Sequence, residues 1–304
     1  MIQISKDSGY FKSFDGTQIY YEVRGEGPPI VLCYGIGCIM NHWQHQIKRF
    51  SKHYKVITFD YRAHQKSEIP ADRDHLSLDY FAQDLKALLD HLEIEKASIW
   101  GHSFGVQVLV RAYDMFPDKF AHMVFVNGFV QNPIKGMFGT DIATSAFELF
   151  RNGYSLLPET LKHLWKLGLN NPVAIQLSAL AGGFNLKLTQ LKDIEIYARG
   201  LTTLDLDAFI RMFQGMMEYD GRSVLERINV PTLIISGKKD SVTPQKYQEE
   251  MHKKIRNSDF LVVPYGTHCT QLDMPDFVNL AIEKFLIDHD FVKPKKPKSA
   301  SAHL

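Results

Sequence analysis

Short β-rich runs alternate with amphipathic helical runs along the first half of the chain, and this alternation restricts the fold more than any other feature. Residues 30–34, 55–60 and 122–127 are mainly apolar, which is typical of strands buried on both faces of a sheet. Between the last two of these runs, leucine and phenylalanine recur at helical spacing from Leu78 to Leu92. Repeated strand–helix–strand units predict an α/β fold, whose mostly parallel central sheet has helices on both faces. Further strands are predicted over residues 17–24, 98–100, 231–236 and 260–263.

A change of rhythm near residue 130 divides the chain. From residue 131 to 215 we find helical stretches but no convincing strand, and the strand–helix alternation then resumes. We therefore predict one core domain, formed by residues 1–130 and 216–290, with a helical cap inserted at 131–215. The polar, proline-broken segment 291–304 is predicted to be a disordered tail.

The composition limits the classes of function that suit this chain. Its 304 residues are 45% hydrophobic and 23% charged, and a net charge of +1 gives no electrostatic footprint for nucleic acid. The N-terminal residues contain no apolar signal-peptide core, and no apolar run is long enough to span a bilayer. The three cysteines form no CxxC pair, which argues against a disulfide framework and a zinc site. We expect a cytoplasmic protein without a metal or cofactor that acts on a small molecule; the oligomeric state stays open.

The motif with the most chemical content is Gly101-His102-Ser103-Phe104-Gly105. The pattern alone is weakly specific, but here it lies between the strand predicted at 98–100 and a helix predicted at 106–115. A serine on such a strand-to-helix turn forms a nucleophile elbow, and the flanking glycines allow strand and helix to approach closely. The start of the helix also offers free N–H groups to a developing negative charge.

With this motif the chain resembles the α/β-hydrolase family in its capped form, from about Phe11 to Ile287. The resemblance implies a catalytic triad in the chain order serine, acid, histidine. Asp240 follows the strand predicted at 231–236 and matches the acid loop of the family. His268 follows the strand predicted at 260–263 and matches the histidine loop. The implied roles are nucleophile for Ser103, general base and acid for His268, and orientation of the imidazole for Asp240.

The same resemblance implies an oxyanion hole made of two backbone N–H groups. Phe104, directly after the serine, supplies one. The second comes from Ile36, because Tyr34-Gly35-Ile36-Gly37 is similar to the His-Gly-x-Gly turn of the family. Tyr34 replaces the usual histidine and is in a position to bring a phenol near the site. Residues 60–67 resemble another family segment, with both of its glycines replaced, and we interpret them as structural.

Other residues near these motifs have ordinary interpretations. The strand at 122–127 ends in Asn127, which cannot ionise, so Asp240 is the better candidate for the acid. His42 and His45 share a helical spacing, but no carboxylate at ligand spacing accompanies them, and no metal site is predicted. Cys269 beside His268 is interpreted as a small buried hydrophobe, and His102 as a packing and hydrogen-bonding residue.

The cap indicates the class of substrate. It is rich in apolar and aromatic residues, and no cluster of basic residues is present to hold a phosphate. We therefore expect hydrolysis of a small or medium apolar ester or lactone through an acyl-enzyme on Ser103. Carbon–carbon bond hydrolysis, acyl transfer and perhydrolysis by the same triad remain alternatives, as does a slow-turnover receptor for a small ligand. The cap residues considered are Met137, Phe138, Phe147, Leu149, Phe150, Trp165 and Leu180.

Overall fold

The apolar runs of the sequence form neighbouring strands of one sheet in the computed structural model, which describes residues 6–135, 142–169 and 183–291. The strand order is β1-β2-β4-β3-β5-β6-β7-β8, in which β2 is antiparallel to both neighbours and all other pairs are parallel. The strands are β1 (Lys6–Lys12), β2 (Gln18–Arg24), β3 (Pro29–Cys33), β4 (Lys55–Phe59), β5 (Ala97–His102), β6 (Phe120–Val126), β7 (Thr232–Gly237) and β8 (Ser258–Val263).

Helices cover both faces of this sheet, as the buried central strands require. Helices α1 and α11 pack together on one face, and α2, α3, α8 and α9 form a connected layer on the other. The predicted α/β fold with a mostly parallel sheet is confirmed. The α-helices within the described ranges are α1 (Gln44–Phe50), α2 (Leu78–His91), α3 (Phe104–Met115), α4 (Ile142–Leu156), α5 (Pro158–Leu169), α6 (Leu191–Thr202), α7 (Leu206–Glu218), α8 (Arg222–Leu225), α9 (Gln245–Lys254), α10 (Thr270–Asp273) and α11 (Pro275–Asp288).

The stretch between β6 and β7 carries helices α4 to α8, and its described residues contain no strand. The division into a core domain of 1–130 and 216–290 and a cap of 131–215 stays a prediction. Among the cap residues named above, Met137, Phe138 and Leu180 lie outside the described residues, as do positions 292–304 of the predicted tail. Phe291, the first residue assigned to that tail, packs its ring against Tyr54 and His122.

Strand β1 was not predicted from the sequence. It lies at the edge of the sheet, where only β2 pairs with it, and Phe11 is its one fully buried side chain among those described. A polar edge strand lacks the apolar alternation that reveals a strand, and its charged ends protect the open edge from pairing with other chains. No described helix combines the length and the apolarity that a membrane span requires.

A buried ion pair fixes the segment after β4. The side chains of Arg62 and Asp84 are both fully buried, and the guanidinium contacts the carboxylate through Nε–Oδ2 at 2.7 Å and Nη2–Oδ1 at 2.5 Å. Arg62 Nη1 also donates to Asp15 Oδ2 at 3.0 Å and to the His75 carbonyl at 2.9 Å. The arginine thus ties β4, α2 and the β1–β2 turn together. This supports the structural interpretation of residues 60–67.

We expect Arg62→Met to lower the free energy of unfolding by about 3–5 kcal/mol, because it leaves the Asp84 carboxylate buried without a counter-charge. The double variant Arg62→Met/Asp84→Leu should regain part of that loss, since both charges are then absent. Arg222→Met, which breaks an exposed pair with Asp220, is the control and should change stability by less than about 1 kcal/mol. Urea unfolding measures all three. A double variant no more stable than the single one contradicts this account.

Candidate active site

Ser103 lies on a strained turn between β5 and α3. Its backbone has φ 54° and ψ −120°, a conformation rarely adopted by residues with a Cβ. The turn is fixed by hydrogen bonds from Ser103 N–H to the Val126 carbonyl (3.1 Å) and from Val106 N–H to the Ser103 carbonyl (2.9 Å). The serine is therefore held in place by its neighbours on β6 and α3.

The two glycines of the motif are required by close backbone approach. A Cβ on Gly101 would lie 2.8 Å from the Gly105 carbonyl carbon, and one on Gly105 would lie 2.5 Å from the Cys33 carbonyl oxygen. No real Cβ contact with backbone is this short, so any larger residue would push β3, β5 and α3 apart. This is the physical reason for the Gly-x-Ser-x-Gly pattern in this chain.

The structure brings Ser103, His268 and Asp240 together at the carboxyl ends of β5, β8 and β7. Ser103 Oγ lies 2.9 Å from His268 Nε2, and His268 Nδ1 lies 3.1 Å from Asp240 Oδ2. This geometry suits transfer of the hydroxyl proton of Ser103 to the imidazole. One ring nitrogen reaches the hydroxyl, and the other is held by the carboxylate. His102 Nε2 donates to the main-chain carbonyl of His268 at 2.8 Å, which helps to hold the histidine loop.

Three residues that the sequence analysis did not assign to the site contact the Asp240 carboxylate, and one of them is Val242, whose backbone N–H donates to Oδ1 at 2.9 Å. Asn127 Nδ2 donates to Oδ2 at 2.7 Å, and Thr243 donates to Oδ1 through its backbone N–H at 2.8 Å. The Thr243 hydroxyl lies 2.7 Å from Asp240 Oδ2 and 3.2 Å from His268 Nδ1. Asn127 has a positive φ of 47°, a conformation that asparagine tolerates well. The position of Asn127, a polar residue directly after a central strand, was the sequence signal that could have indicated its place in the site.

The two predicted N–H donors belong to different elements near Ser103. Ile36 lies in the loop after β3, and Phe104 lies at the start of α3. Phe104 is the first residue of α3, so its N–H has no partner within the helix. Ile36 belongs to the loop after β3 and lines the same cavity as Ser103. His64 fixes this loop: its Nε2 accepts a hydrogen bond from Gly37 N–H at 3.1 Å, while its Nδ1 donates to the Arg62 carbonyl at 3.0 Å. His64 is thus a further polar residue that the sequence analysis did not assign to the site.

Tyr34 does not bring its phenol to the site. The side chain is fully buried beneath the loop, where the hydroxyl lies 3.3 Å from Asp60 Oδ1 and accepts from Tyr61 N–H at 3.0 Å. Burial raises the pKa of Asp60 to about 7, so the hydrogen-bonded carboxyl is readily protonated. Tyr34 therefore supports the loop from inside the core.

A cavity of about 300 Å³ opens above Ser103 and His268. Its walls are almost entirely apolar, and the cap contributes an aromatic side in which the ring of Phe209 lies 5.2 Å from that of Trp165 and 5.6 Å from that of Phe213. The residues of the predicted cap range in the wall are Pro133, Ile134, Trp165, Gly183, Phe184, Leu201, Phe209 and Phe213. Cys269 also lines the cavity and packs in a small apolar cluster with Phe184, Ile194 and Leu272. Burial raises the pKa of the Cys269 thiol well above its usual value, which fits a small hydrophobe.

The Asp273 carboxylate connects the histidine loop to the cap segment. Its Oδ2 accepts from the backbone N–H and the hydroxyl of Thr267, both at 2.6 Å. Its Oδ1 accepts from Asn185 N–H at 2.9 Å and from the hydroxyl of Thr189. One buried side chain therefore positions both the residue before His268 and the cap segment above it.

Comparisons with known proteins agree with this architecture. A sequence model described as the alpha/beta hydrolase fold matches residues 28–275. The chain is 25% identical over 289 residues to epoxide hydrolase 4 of Mus musculus, an alignment that covers 89% of this chain and 77% of the relative. It is also 25% identical over 262 residues to 3-oxoadipate enol-lactonase 2 of Acinetobacter baylyi, covering 86% and 89% of the two chains.

Among solved structures, an esterase from Exiguobacterium antarcticum superposes on this chain with a TM-score of 0.76 at 20% identity. The superposition covers 91% of this chain and 98% of the esterase. At that identity, the likeness shows a common fold.

We expect His64 to make the folded state sensitive to acid. Burial lowers its pKa to about 4, so between pH 6.5 and 4 the unfolded chain binds a proton that the folded imidazole does not. Stability is therefore lost as the pH falls through this range. Between pH 7 and 4.5 the wild type should lose about 2–3 kcal/mol more than His64→Gln, which cannot titrate there. Urea unfolding at each pH measures the difference, and parallel losses in the two proteins would refute the assignment.

Proposed function

This chain belongs to the α/β-hydrolase family, and the relatives it matches support a hydrolase activity. We propose that it is a serine hydrolase of carboxylic esters or lactones. The observation that carries the proposal is the hydrogen-bonded series Ser103 Oγ–His268 Nε2 (2.9 Å) and His268 Nδ1–Asp240 Oδ2 (3.1 Å) at the base of an apolar cavity.

The proposed reaction starts with attack of Ser103 Oγ on the ester carbonyl. His268 accepts the hydroxyl proton, and the new C–O bond gives a tetrahedral oxyanion. Collapse of this intermediate breaks the bond to the alcohol, which takes the proton back from His268 as it leaves. Water then attacks the acyl-enzyme by the same route and releases the acid and free Ser103. Asp240 keeps the imidazole in the tautomer with Nδ1–H and stabilises the imidazolium.

Two backbone N–H groups support the proposed mechanism, because they are available to stabilise the oxyanion of the tetrahedral intermediate. The proposed donors are the N–H groups of Ile36 and Phe104, one from the loop after β3 and one from the start of α3. Both elements are rigidly connected to Ser103, since Gly105 packs on the Cys33 carbonyl and His64 holds Gly37. Donors that are fixed before the reaction require little reorganisation as negative charge develops.

The cavity supports a small apolar substrate. Its volume of about 300 Å³ lies at the lower end of the range typical of ligand sites. The aromatic side formed by Trp165, Phe209 and Phe213 suits an aryl or short aliphatic group, and the cavity wall contains no lysine or arginine among the described residues. The lactonase among the relatives supports inclusion of cyclic esters in the substrate class.

Active-site labelling tests the proposed chemistry. A fluorophosphonate probe should label the wild type, fail to label Ser103→Ala, and label His268→Ala far more slowly, because the hydroxyl then has no base. Ser155→Ala, which removes an exposed serine of the cap, is the matched control and should label normally. With an ester substrate, Ser103→Ala should reduce kcat/KM by about 10⁴-fold or more. Equal labelling of wild type and Ser103→Ala would exclude this nucleophile.

Graded p-nitrophenyl esters test the proposed substrate class. The wild type should prefer short acyl chains, and Phe213→Ala should shift the preference to longer chains by enlarging the cavity. Phe150→Ala is the control, since this ring lies 6.2 Å from that of Trp165 but does not line the cavity. Product analysis separates ester hydrolysis from acyl transfer, perhydrolysis and carbon–carbon bond cleavage. Tight binding of the best substrate with very slow turnover would instead favour a receptor.

A further inference from the structure

Two side chains that lie four residues apart, Cys38 and His42, meet a third from a different strand, His102, beside the cavity. Cys38 lies in the loop after β3, His42 in a short 3₁₀ turn at Met40–Trp43, and His102 at the end of β5. All three are buried, and their potential ligand atoms lie within 4.8 Å of one another. We propose that Cys38, His42 and His102 form a binding site for a borderline-soft divalent cation such as Zn²⁺, next to Ser103.

The tautomer of His102 favours this assignment. Its Nε2 lies 2.8 Å from the main-chain oxygen of His268, which can only accept, so Nε2 carries the hydrogen. Nδ1 therefore presents a lone pair, and this atom is buried with no hydrogen-bond partner among the described residues. A histidine that donates one ring N–H to a carbonyl and presents the other nitrogen is held as metal-binding histidines are.

Geometry places the thiol beside that lone pair. A Cβ built on Gly35 would lie 3.2 Å from His102 Nδ1 and 3.3 Å from Cys38 Sγ. The two potential ligand atoms are therefore both in contact with the space beside Gly35. The ring centroids of His42 and His102 are 4.5 Å apart. Ligand atoms around tetrahedral Zn²⁺ are about 3.3–3.6 Å apart, so closure needs a movement of about 1 Å, within reach of side-chain rotation.

The chemistry of the donors selects the cation. A thiolate with two imidazoles suits Zn²⁺ or Co²⁺ and disfavours Mg²⁺ and Ca²⁺, which prefer oxygen ligands. Binding forms an S–metal bond and releases the Cys38 thiol proton to solvent, with no change of oxidation state. Three protein ligands leave one tetrahedral position for a water molecule. The cation can enter through the cavity, because Cys38 and His102 both line it.

The sequence analysis predicted no metal here, because no carboxylate at ligand spacing accompanies His42 and His45 and the cysteines form no CxxC pair. In the structure His45 Nε2 lies 3.3 Å from Asp193 Oδ2, away from the cluster. Cys38 stands four residues before His42, and the fold brings His102 from the end of β5 to this pair. Since this site shares a wall with the cavity, occupation should inhibit hydrolysis reversibly; this consequence rests on the proposed function, whereas binding does not.

Cobalt substitution tests the site without reference to activity. Protein stripped with a chelator should bind one equivalent of Co²⁺, with a thiolate-to-cobalt charge-transfer band and the strong visible absorption of a four-coordinate ion. Zn²⁺ should displace the cobalt and remove both bands. Cys38→Ser should abolish the charge-transfer band, and His42→Gln should weaken binding at least tenfold. Cys269→Ala is the matched control, a buried thiol of the same cavity outside the cluster, and should retain the band.

Several outcomes would overturn the proposal. These are the absence of stoichiometric Co²⁺ binding to the wild type, a charge-transfer band that survives in Cys38→Ser, and a band lost in Cys269→Ala. Circular dichroism of each variant confirms folding, and His42→Gln keeps the test decisive if Cys38→Ser does not fold. Zn²⁺ should inhibit ester hydrolysis by the wild type, with recovery on chelation. A cobalt site in a protein that hydrolyses no ester would leave the metal site standing and refute the proposed function.

Discussion

The close approach of three backbones around Ser103 is the constraint on which the rest of the site depends. Gly105 packs against the Cys33 carbonyl, and Gly101 packs against the start of α3, so β3, β5 and α3 meet without intervening side chains. This contact holds the serine in its strained conformation. It also brings the end of β3, from which the loop with Ile36 continues, beside the start of α3, where Phe104 lies. A methyl group at either glycine would displace all of these parts together.

Much of the fold could be predicted from the sequence, because the central strands are buried on both faces and appear as apolar runs. Strands β3 to β7 belong to this class, while the edge strand β8 and helix α2 were recognised from a short apolar run and an apolar stripe. The polar edge strand β1 could not be recognised, since pairing with β2 rather than burial of its own side chains defines it. Helix α3 begins at Phe104, two residues before the predicted start. Gly105 has a low helix propensity, so the sequence alone does not predict the first turn, which tertiary packing stabilises.

Ser103 was indicated by a motif between a predicted strand and a predicted helix, and Asp240 and His268 by the family loops that their segments resemble. Their supporting contacts were beyond its reach. Asn127 was judged only by its inability to ionise, yet an amide that donates to Asp240 needs no charge. His64 acts through a hydrogen bond to a backbone group of a loop 27 residues away, which no local pattern encodes. The approach of Cys38 to His102 likewise arises only when β3 and β5 become neighbours.

The double attachment of Asp273 has a consequence for how such proteins diversify. Because one carboxylate anchors both Thr267 and the Asn185–Thr189 segment, the helical stretch between β6 and β7 cannot be exchanged independently of the histidine loop. A transplanted segment would have to supply an N–H and a hydroxyl at matching positions, or Oδ1 of the carboxylate that holds Thr267 would lose both of these partners. Recombination between homologues should therefore succeed most often where donor and recipient retain this junction as a unit.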